Sequence, residues 1–167
     1  HVLDLLEPKS TFTGTDVSQW QIDCRELLKD LLGFRSIEPV DRKGILWESE
    51  DGLGQYSKEI FIAPGGALIP VYRCQPQGMV TPKGWIICLQ GHTTGMHLSL
   101  GLDREERFRL RPSGDRDFVK WCLELGYGAY CMEIRSLGAR VEQRQERVSP
   151  HPCQDAAMRS LLLGHTL

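Results

Sequence analysis

The sequence predicts an α/β fold in which antiparallel strands lead into parallel strands joined by crossover helices. Short β-branched and aromatic runs, separated by Asp51-Gly52 and Gly65-Gly66, indicate antiparallel strands between residues 45 and 75. The continuous apolar runs "WIICL" (85–89) and "GYGAYCMEI" (126–134) are typical of parallel strands that are buried on both faces. A helical pattern separates these two runs, and a strand, a helix and a strand in succession indicate a crossover within one parallel sheet.

An amphipathic helix precedes the strands, between residues 16 and 32. Asp16 and Gln19 are spaced as a capping box, and Gly33 is suited to end the helix. The apolar residues of this segment fall on one stripe: Val17, Trp20, Cys24, Leu27, Leu28, Leu31 and Leu32. We therefore expect a helical N-terminal extension over residues 1–44 and the main domain over residues 45–167.

The strands are expected in "ILWESE", "YSKEIFIAP" and "ALIPVYRCQ", and the last two form a hairpin. The run 85–89 reads as a central, fully buried strand. The helix that follows it has Asp115 and Asp117 near its start and Gly126 at its end. Its apolar residues are Phe118, Val119, Trp121, Cys122 and Leu125.

A last helix is expected from Pro152, since proline suits the first turn of a helix. The apolar residues on one side of this helix are Ala156, Ala157, Met158, Leu161 and Leu162. No strand pattern follows before Leu167, so the predicted sheet is unfinished.

Composition and charge exclude several classes of partner. The net charge of −2 disfavours binding to nucleic acid or to an anionic membrane. No run reaches the roughly 18 apolar residues of a membrane span, so we expect a soluble protein. The six cysteines lack the C-x-x-C spacing of a zinc site, which favours free thiols, a reducing compartment and a cytoplasmic location.

The stretch "LQGHTTGMH" (89–97) is the strongest candidate for a site, because ligands collect at the carboxyl ends of parallel strands. Gly91 and Gly95 let the backbone approach a ligand, so that amide N–H groups face it. The alternative is a turn that only connects strand to helix. His92 and His97 make a poor metal site, because no Cys, Asp or Glu lies within three positions of His92. Neither phosphate-binding glycine motif is present, and we expect no cofactor and no metal.

The hairpin, "GWIICLQGHTTGMH", a helix and "GYGAYCMEIRSLGAR" together resemble the first half of an α/β-hydrolase. The branch with dienelactone-hydrolase-like proteins and acetyl xylan esterases is the most similar, over about residues 56–140. The resemblance implies that Gln90-Gly91-His92 matches a His-Gly-x-x-G loop, with the backbone N–H of His92 as oxyanion donor and Thr93 as the next candidate. It also matches residues 133–140 to an Asp-x-Arg-Gly-x-Gly turn. Gln90, Glu133 and Ser136 depart from the usual His, Asp and Gly, which leaves the substrate preference open.

No G-x-S-x-G motif, which carries the nucleophile of such hydrolases, occurs in the sequence. The resemblance places it beyond Leu167, with the acid and the histidine. We therefore expect the N-terminal part of a serine hydrolase acting on a small-molecule carboxylic ester, with no catalytic residue within this chain and no activity alone. Four serines read instead as cap, turn or helix-surface residues: Ser99, Ser113, Ser136 and Ser160. Three cysteines read as core residues: Cys88, Cys122 and Cys131.

The alternative function is a non-catalytic binding or interaction module. The unfinished sheet then leaves a parallel edge through which the chain associates with itself. The charged runs 103–117 and 139–148 read as solvated faces, with a substrate-gating insertion as the alternative.

Overall fold

A computed structural model describes residues 10–33, 39–63, 66–91, 94–106, 115–140 and 152–163 of the chain. The helices and strands in chain order are α1 (Val17–Leu31), β1 (Asp41–Glu50), β2 (Gly54–Ile62), β3 (Leu68–Pro76), β4 (Trp85–Cys88), α2 (Phe118–Glu124), β5 (Gly128–Met132) and α3 (Pro152–Leu162). A short 3₁₀ helix spans Met96–Leu100. Within the described ranges, no helix has the length and apolar character needed to span a membrane.

The five strands of the described residues form one sheet in the order β1-β2-β3-β5-β4. Neighbouring strands are antiparallel from β1 through β3 to β5, whereas β4 and β5 are parallel, with Trp85 opposite Gly128 and Cys88 opposite Cys131. The predicted α/β class is confirmed, as are the β2–β3 hairpin and the crossover from β4 through α2 to β5. β1 begins at Asp41, four residues before the predicted strand.

The prediction that residues 85–89 form a central, fully buried strand is wrong for the described sheet. β4 lies at its edge, with β5 as its neighbour on one side. The side chains of Trp85, Ile86 and Ile87 are exposed, and Ile87 reaches 65%. An apolar run indicates that a strand is suited to a buried position. Whether the strand lies at the edge of the sheet depends on the strand order, which the run does not determine.

The core lies between one face of the sheet and the helices that cover it. Strand residues Tyr72, Cys74 and Cys131 are buried there against Met96 of the 3₁₀ helix and Val119 of α2. The prediction that Cys88, Cys122 and Cys131 are core residues is confirmed. The Sγ atoms of Cys88 and Cys122 lie 4.0 Å apart, so the thiols pack β4 against α2.

Helix α1 begins and ends as predicted. The Asp16 carboxylate accepts a hydrogen bond of 3.0 Å from the backbone N–H of Gln19, and Gly33 adopts a left-handed φ of 61°. The Gln19 side chain donates to Asp23 and does not complete the capping box. No residue of α1 is buried, so its apolar stripe does not join the core.

The predicted apolar side of α3 is buried only in part. Ala156 is buried, whereas Met158, Leu161 and Leu162 are exposed. Ser160, one helical turn after Ala156, is also buried and makes a polar contact that is described below. Helix α2 packs through Val119, Cys122 and Leu123. Three of the apolar residues that indicated this helix are exposed, namely Phe118, Trp121 and Leu125.

Candidate active site

Two loops meet where β4 and β5 end. The first follows β4 and leads through Gly91 and Gly95 into the 3₁₀ helix, and the second is the turn 133–140 after β5. The strands are parallel neighbours, so their carboxyl ends lie side by side, as the sequence predicts. His92 and Thr93, the predicted donors, lie outside the described residues.

Gly95 is needed because another loop passes close to it. Its φ of −147° is extended backbone that any residue adopts. A Cβ added there would lie 2.8 Å from the Nδ1 atom of His97 and 3.0 Å from the Cα atom of Gly138. At Gly91, a Cβ would have no atom of the described residues within 4 Å. The Gly91 carbonyl accepts a hydrogen bond of 2.5 Å from the Thr94 hydroxyl.

Glu133 connects the two loops. Its side chain is buried, and its carboxylate accepts hydrogen bonds from the backbone N–H groups of Met96, at 3.2 Å, and Ala139, at 3.0 Å. Burial raises the pKa of Glu133, although these two amides and the charges of Lys58 and Arg140 act in the opposite direction. The sequence identifies Glu133 only as a departure from an expected Asp, and its contact with Met96 joins residues 37 apart.

Gln90 fixes the start of the first loop from within the protein. Its Nε2 atom donates to the Ser99 hydroxyl at 2.7 Å and to the Arg116 carbonyl at 3.0 Å. Gln90 and Ser99 are both buried, so this contact satisfies polar groups that water does not reach.

The predicted surface or turn role of the serines is confirmed for one of them. Ser136 lies in a turn with a φ of 64°. The interpretation is wrong for Ser99 and Ser160, which are both buried. Each buried hydroxyl accepts a hydrogen bond, Ser99 from Gln90 and Ser160 from Arg135 at 3.2 Å. Ser113 lies outside the described residues.

The sequence does not indicate one half-buried charged group that lies beside the loops. Glu106 is paired with Lys58 of β2 and accepts a hydrogen bond of 3.1 Å from Trp47 Nε1 of β1. Burial opposes ionisation of Glu106, yet the hydrogen bonds from Lys58 and Trp47 contribute to a net lowering of its pKa. The prediction that run 103–117 is a solvated face is therefore wrong at Glu106. Residues 107–114 lie outside the described residues, as does most of run 139–148.

An open depression of about 340 Å³ adjoins the first loop. The side chains around it include two basic and two acidic groups, and it is lined by Thr94, His97, Leu98, Leu102, Asp103, Arg104, Glu105 and Arg116. Burial and the charge of Arg104 lower the pKa of His97, which favours the neutral imidazole. Among the residues that the structure describes, no group of three His, Cys, Asp or Glu side chains is placed to hold a metal ion.

Comparison with known proteins gives a structural likeness without a sequence match. No family model matches the sequence, and no curated protein does. A provisionally named acetyl xylan esterase from Bacteroides fragilis NCTC 9343 superposes with a TM-score of 0.76 at 16% identity. The superposition covers 99% of this chain but 44% of that one, so the present chain spans less than half of the length of that structure.

Two further solved structures match less closely. They are an acetyl xylan esterase from Paenibacillus sp. R4 (TM-score 0.42, 13% identity) and acetyl xylan esterase 1 from Thermoanaerobacterium sp. JW/SL YS485 (TM-score 0.41, 14% identity). They cover 87% and 93% of this chain and 43% and 50% of their own. The superposition on the Bacteroides structure, together with the sheet order and crossover, shows that this chain has part of an α/β-hydrolase fold.

Proposed function

We propose that this chain supplies the oxyanion-hole loop of a carboxylic ester hydrolase of the serine type. The observation that carries the proposal is the position of Gly91 and Gly95, which follow the carboxyl end of β4, together with the hydrogen bond from the next residue, Met96, to Glu133 after β5. In this proposal the backbone N–H of His92 donates to the oxyanion, and Thr93 is the next candidate. One such pre-organised donor contributes roughly 2.7–4 kcal/mol to transition-state stabilisation.

The rest of the machinery belongs to a longer protein in this proposal. A serine on a strand-to-helix turn attacks the acyl carbon, and a histidine oriented by an acid accepts the serine proton. Residues 45–167 are the N-terminal portion of the hydrolase domain, and residues 1–44 are a helical extension. The substrate is a small ester that reaches the depression beside the loop. The six cysteines, none of which forms a disulfide in the described structure, support a cytoplasmic location.

Ester hydrolysis by two forms of the protein tests this proposal. The first is the 167-residue chain, and the second is the product of the same gene extended past Leu167. Each is assayed with p-nitrophenyl acetate, with and without a serine-reactive fluorophosphonate. We expect no turnover from the first, and from the second a turnover that the fluorophosphonate abolishes. Inhibitable turnover by the 167-residue chain would place a nucleophile within it, and an extended product without G-x-S-x-G or activity would overturn the proposal.

The exposed edge of β4 supports a second candidate, an interaction module that associates with a second copy of itself. The edge has unpaired backbone groups within the described sheet, and none of the residues Trp85–Cys88 carries a charge that would repel the same strand of another copy. Light scattering after size-exclusion chromatography tests it. We expect a dimer that Ile87→Lys converts to a monomer, while Val80→Lys, at an exposed loop position, has no effect. A wild-type monomer contradicts this candidate.

A further inference from the structure

The structure assigns Glu133 as a positioning residue that holds the loop after β4 and the turn after β5 in one arrangement. Its two carboxylate oxygens serve different loops. Oε1 accepts from the N–H of Met96, where the first loop enters the 3₁₀ helix, and Oε2 accepts from the N–H of Ala139 in the turn. The effect of Glu133 on catalysis rests on the proposed function. The two hydrogen bonds do not, since they belong to the described fold.

The surroundings leave the carboxylate little freedom. Glu133 is 3% exposed and Met96 is 2% exposed, so water has little access to replace either partner. Gly138 adopts a left-handed φ of 48°, and a Cβ at this position would overlap the Glu133 carboxylate. Gly95 lies directly against Gly138. The carboxylate therefore fills the space between the two loops as well as bonding to both.

The charged and titratable groups around Glu133 come from three directions. Lys58 is on β2, Tyr72 is on β3, and Arg140 is in the turn, where its guanidinium also donates to the Glu133 carbonyl at 3.0 Å. Both cations favour the ionised carboxylate, whereas burial raises its pKa. A protonated carboxyl group has one oxygen that is occupied as a donor, and that oxygen accepts poorly from an amide. Acidification is thus expected to weaken one of the two hydrogen bonds.

Positioning of this kind matters for an oxyanion donor. The N–H group must already point to where negative charge develops, because reorientation during the reaction would cost part of the transition-state stabilisation. Gly91 and Thr94 are themselves joined by the turn hydrogen bonds of the first loop. Met96 is where the described part of this loop is tied to the turn after β5, and Glu133 makes that connection.

Hydrogen exchange by NMR on the 167-residue chain tests the assignment. In Glu133→Gln one oxygen acceptor is replaced by an amide NH₂ of similar size. We expect the N–H of Met96, of Ala139 or of both to exchange about tenfold to a hundredfold faster than in the wild type, the range for losing a hydrogen bond to a charged group. The matched control is Glu59→Gln, since Glu59 is a buried glutamate that instead contacts Ser57 and Arg42. Unchanged exchange at Met96 and Ala139 in Glu133→Gln, or equal acceleration in the control, overturns the assignment.

A titration of the wild type keeps the test independent of whether the variant folds. The amide resonances of Met96 and Ala139 should shift with one common midpoint, at a pH above that of an exposed glutamate. Separate midpoints, or no titration, contradict a shared carboxylate. Neither measurement uses ester hydrolysis, so an inactive protein still tests Glu133, and a negative result here leaves the hydrolase assay to decide the proposed function.

Discussion

Glu106 and Lys58, which are 48 positions apart in the sequence, form an ion pair whose side chains are only 20% and 13% exposed. The carboxylate of Glu106 also accepts a hydrogen bond from Trp47, so β1, β2 and the segment that carries Glu106 meet at one half-buried group. The Lys58 ammonium lies 5.7 Å from the centre of the Tyr72 ring, which adds a cation–π contact. The segment before residue 107 is thereby fixed to β1 and β2, next to the candidate site.

Breaking this pair is expected to destabilise the fold. Glu106→Ala leaves Lys58 and the Trp47 N–H without their acceptor, and an unsatisfied, largely buried polar group costs about 1–3 kcal/mol. Urea unfolding followed by tryptophan fluorescence measures the free energy of unfolding. The double variant Lys58→Met/Glu106→Ala should be less destabilised than the sum of the two single variants. Additive single effects would show that the two side chains do not interact.

The pH dependence of stability should carry the signature of Glu106. Its pKa is lowered in the folded state, so its contribution is present above its ordinary pKa of 4.5 and is lost as the pH falls through the folded-state value. Glu106→Gln should therefore flatten the decline of the unfolding free energy below about pH 4.5. The measurement is a series of urea titrations between pH 3 and 7. If the unfolding free energy of Glu106→Gln declined as steeply below pH 4.5 as that of the wild type, this assignment would be contradicted.

The core thiols should resist modification while the chain is folded. Burial raises the pKa of Cys122 to about 11, and the pKa of Cys88 is raised by its hydrogen bond to Cys131 and by burial. Cys24 and Cys153 are only half-buried. With Ellman's reagent at pH 8 we expect these two to react first and the other four to react at the rate of unfolding. Rapid reaction of Cys88 or Cys122, identified by peptide mass spectrometry, would be inconsistent with their packing.

The glycines of the two loops should differ in their tolerance of alanine. Gly138→Ala places a Cβ on the Glu133 carboxylate and Gly95→Ala places one against Gly138, so each should lower stability by about 1–3 kcal/mol, as overpacking does. Gly91→Ala meets open space within the described residues and should change stability by less than about 0.5 kcal/mol. Thermal unfolding of the three variants distinguishes them. Equal effects at Gly91 and Gly95 would argue against the close contact with Gly138.

Local patterns predict what local interactions determine. The cap of α1 depends on residues three positions apart, and the β2–β3 hairpin on alternating residues around one turn, so both follow from the sequence. The ends of β4 and β5 are predicted to within two residues for the same reason. The edge position of β4 and the burial of Glu106 depend on partners that are distant in the sequence. The prediction for Ser99 is wrong because its buried hydroxyl depends on the hydrogen bond from Gln90. Hydrophobic periodicity in the sequence does not indicate that contact.

The contact between Gly95 and Gly138 makes two loops from different strands into a single mechanical unit. Gly95 and Gly138 have no side chains to separate the two backbones, and Glu133 joins the loops through its hydrogen bonds to Met96 and Ala139. We therefore expect a displacement of the turn after β5 to move the backbone after β4. A molecule that binds to the exposed side of that turn, for example at Arg135, would then move the proposed oxyanion loop without contacting it.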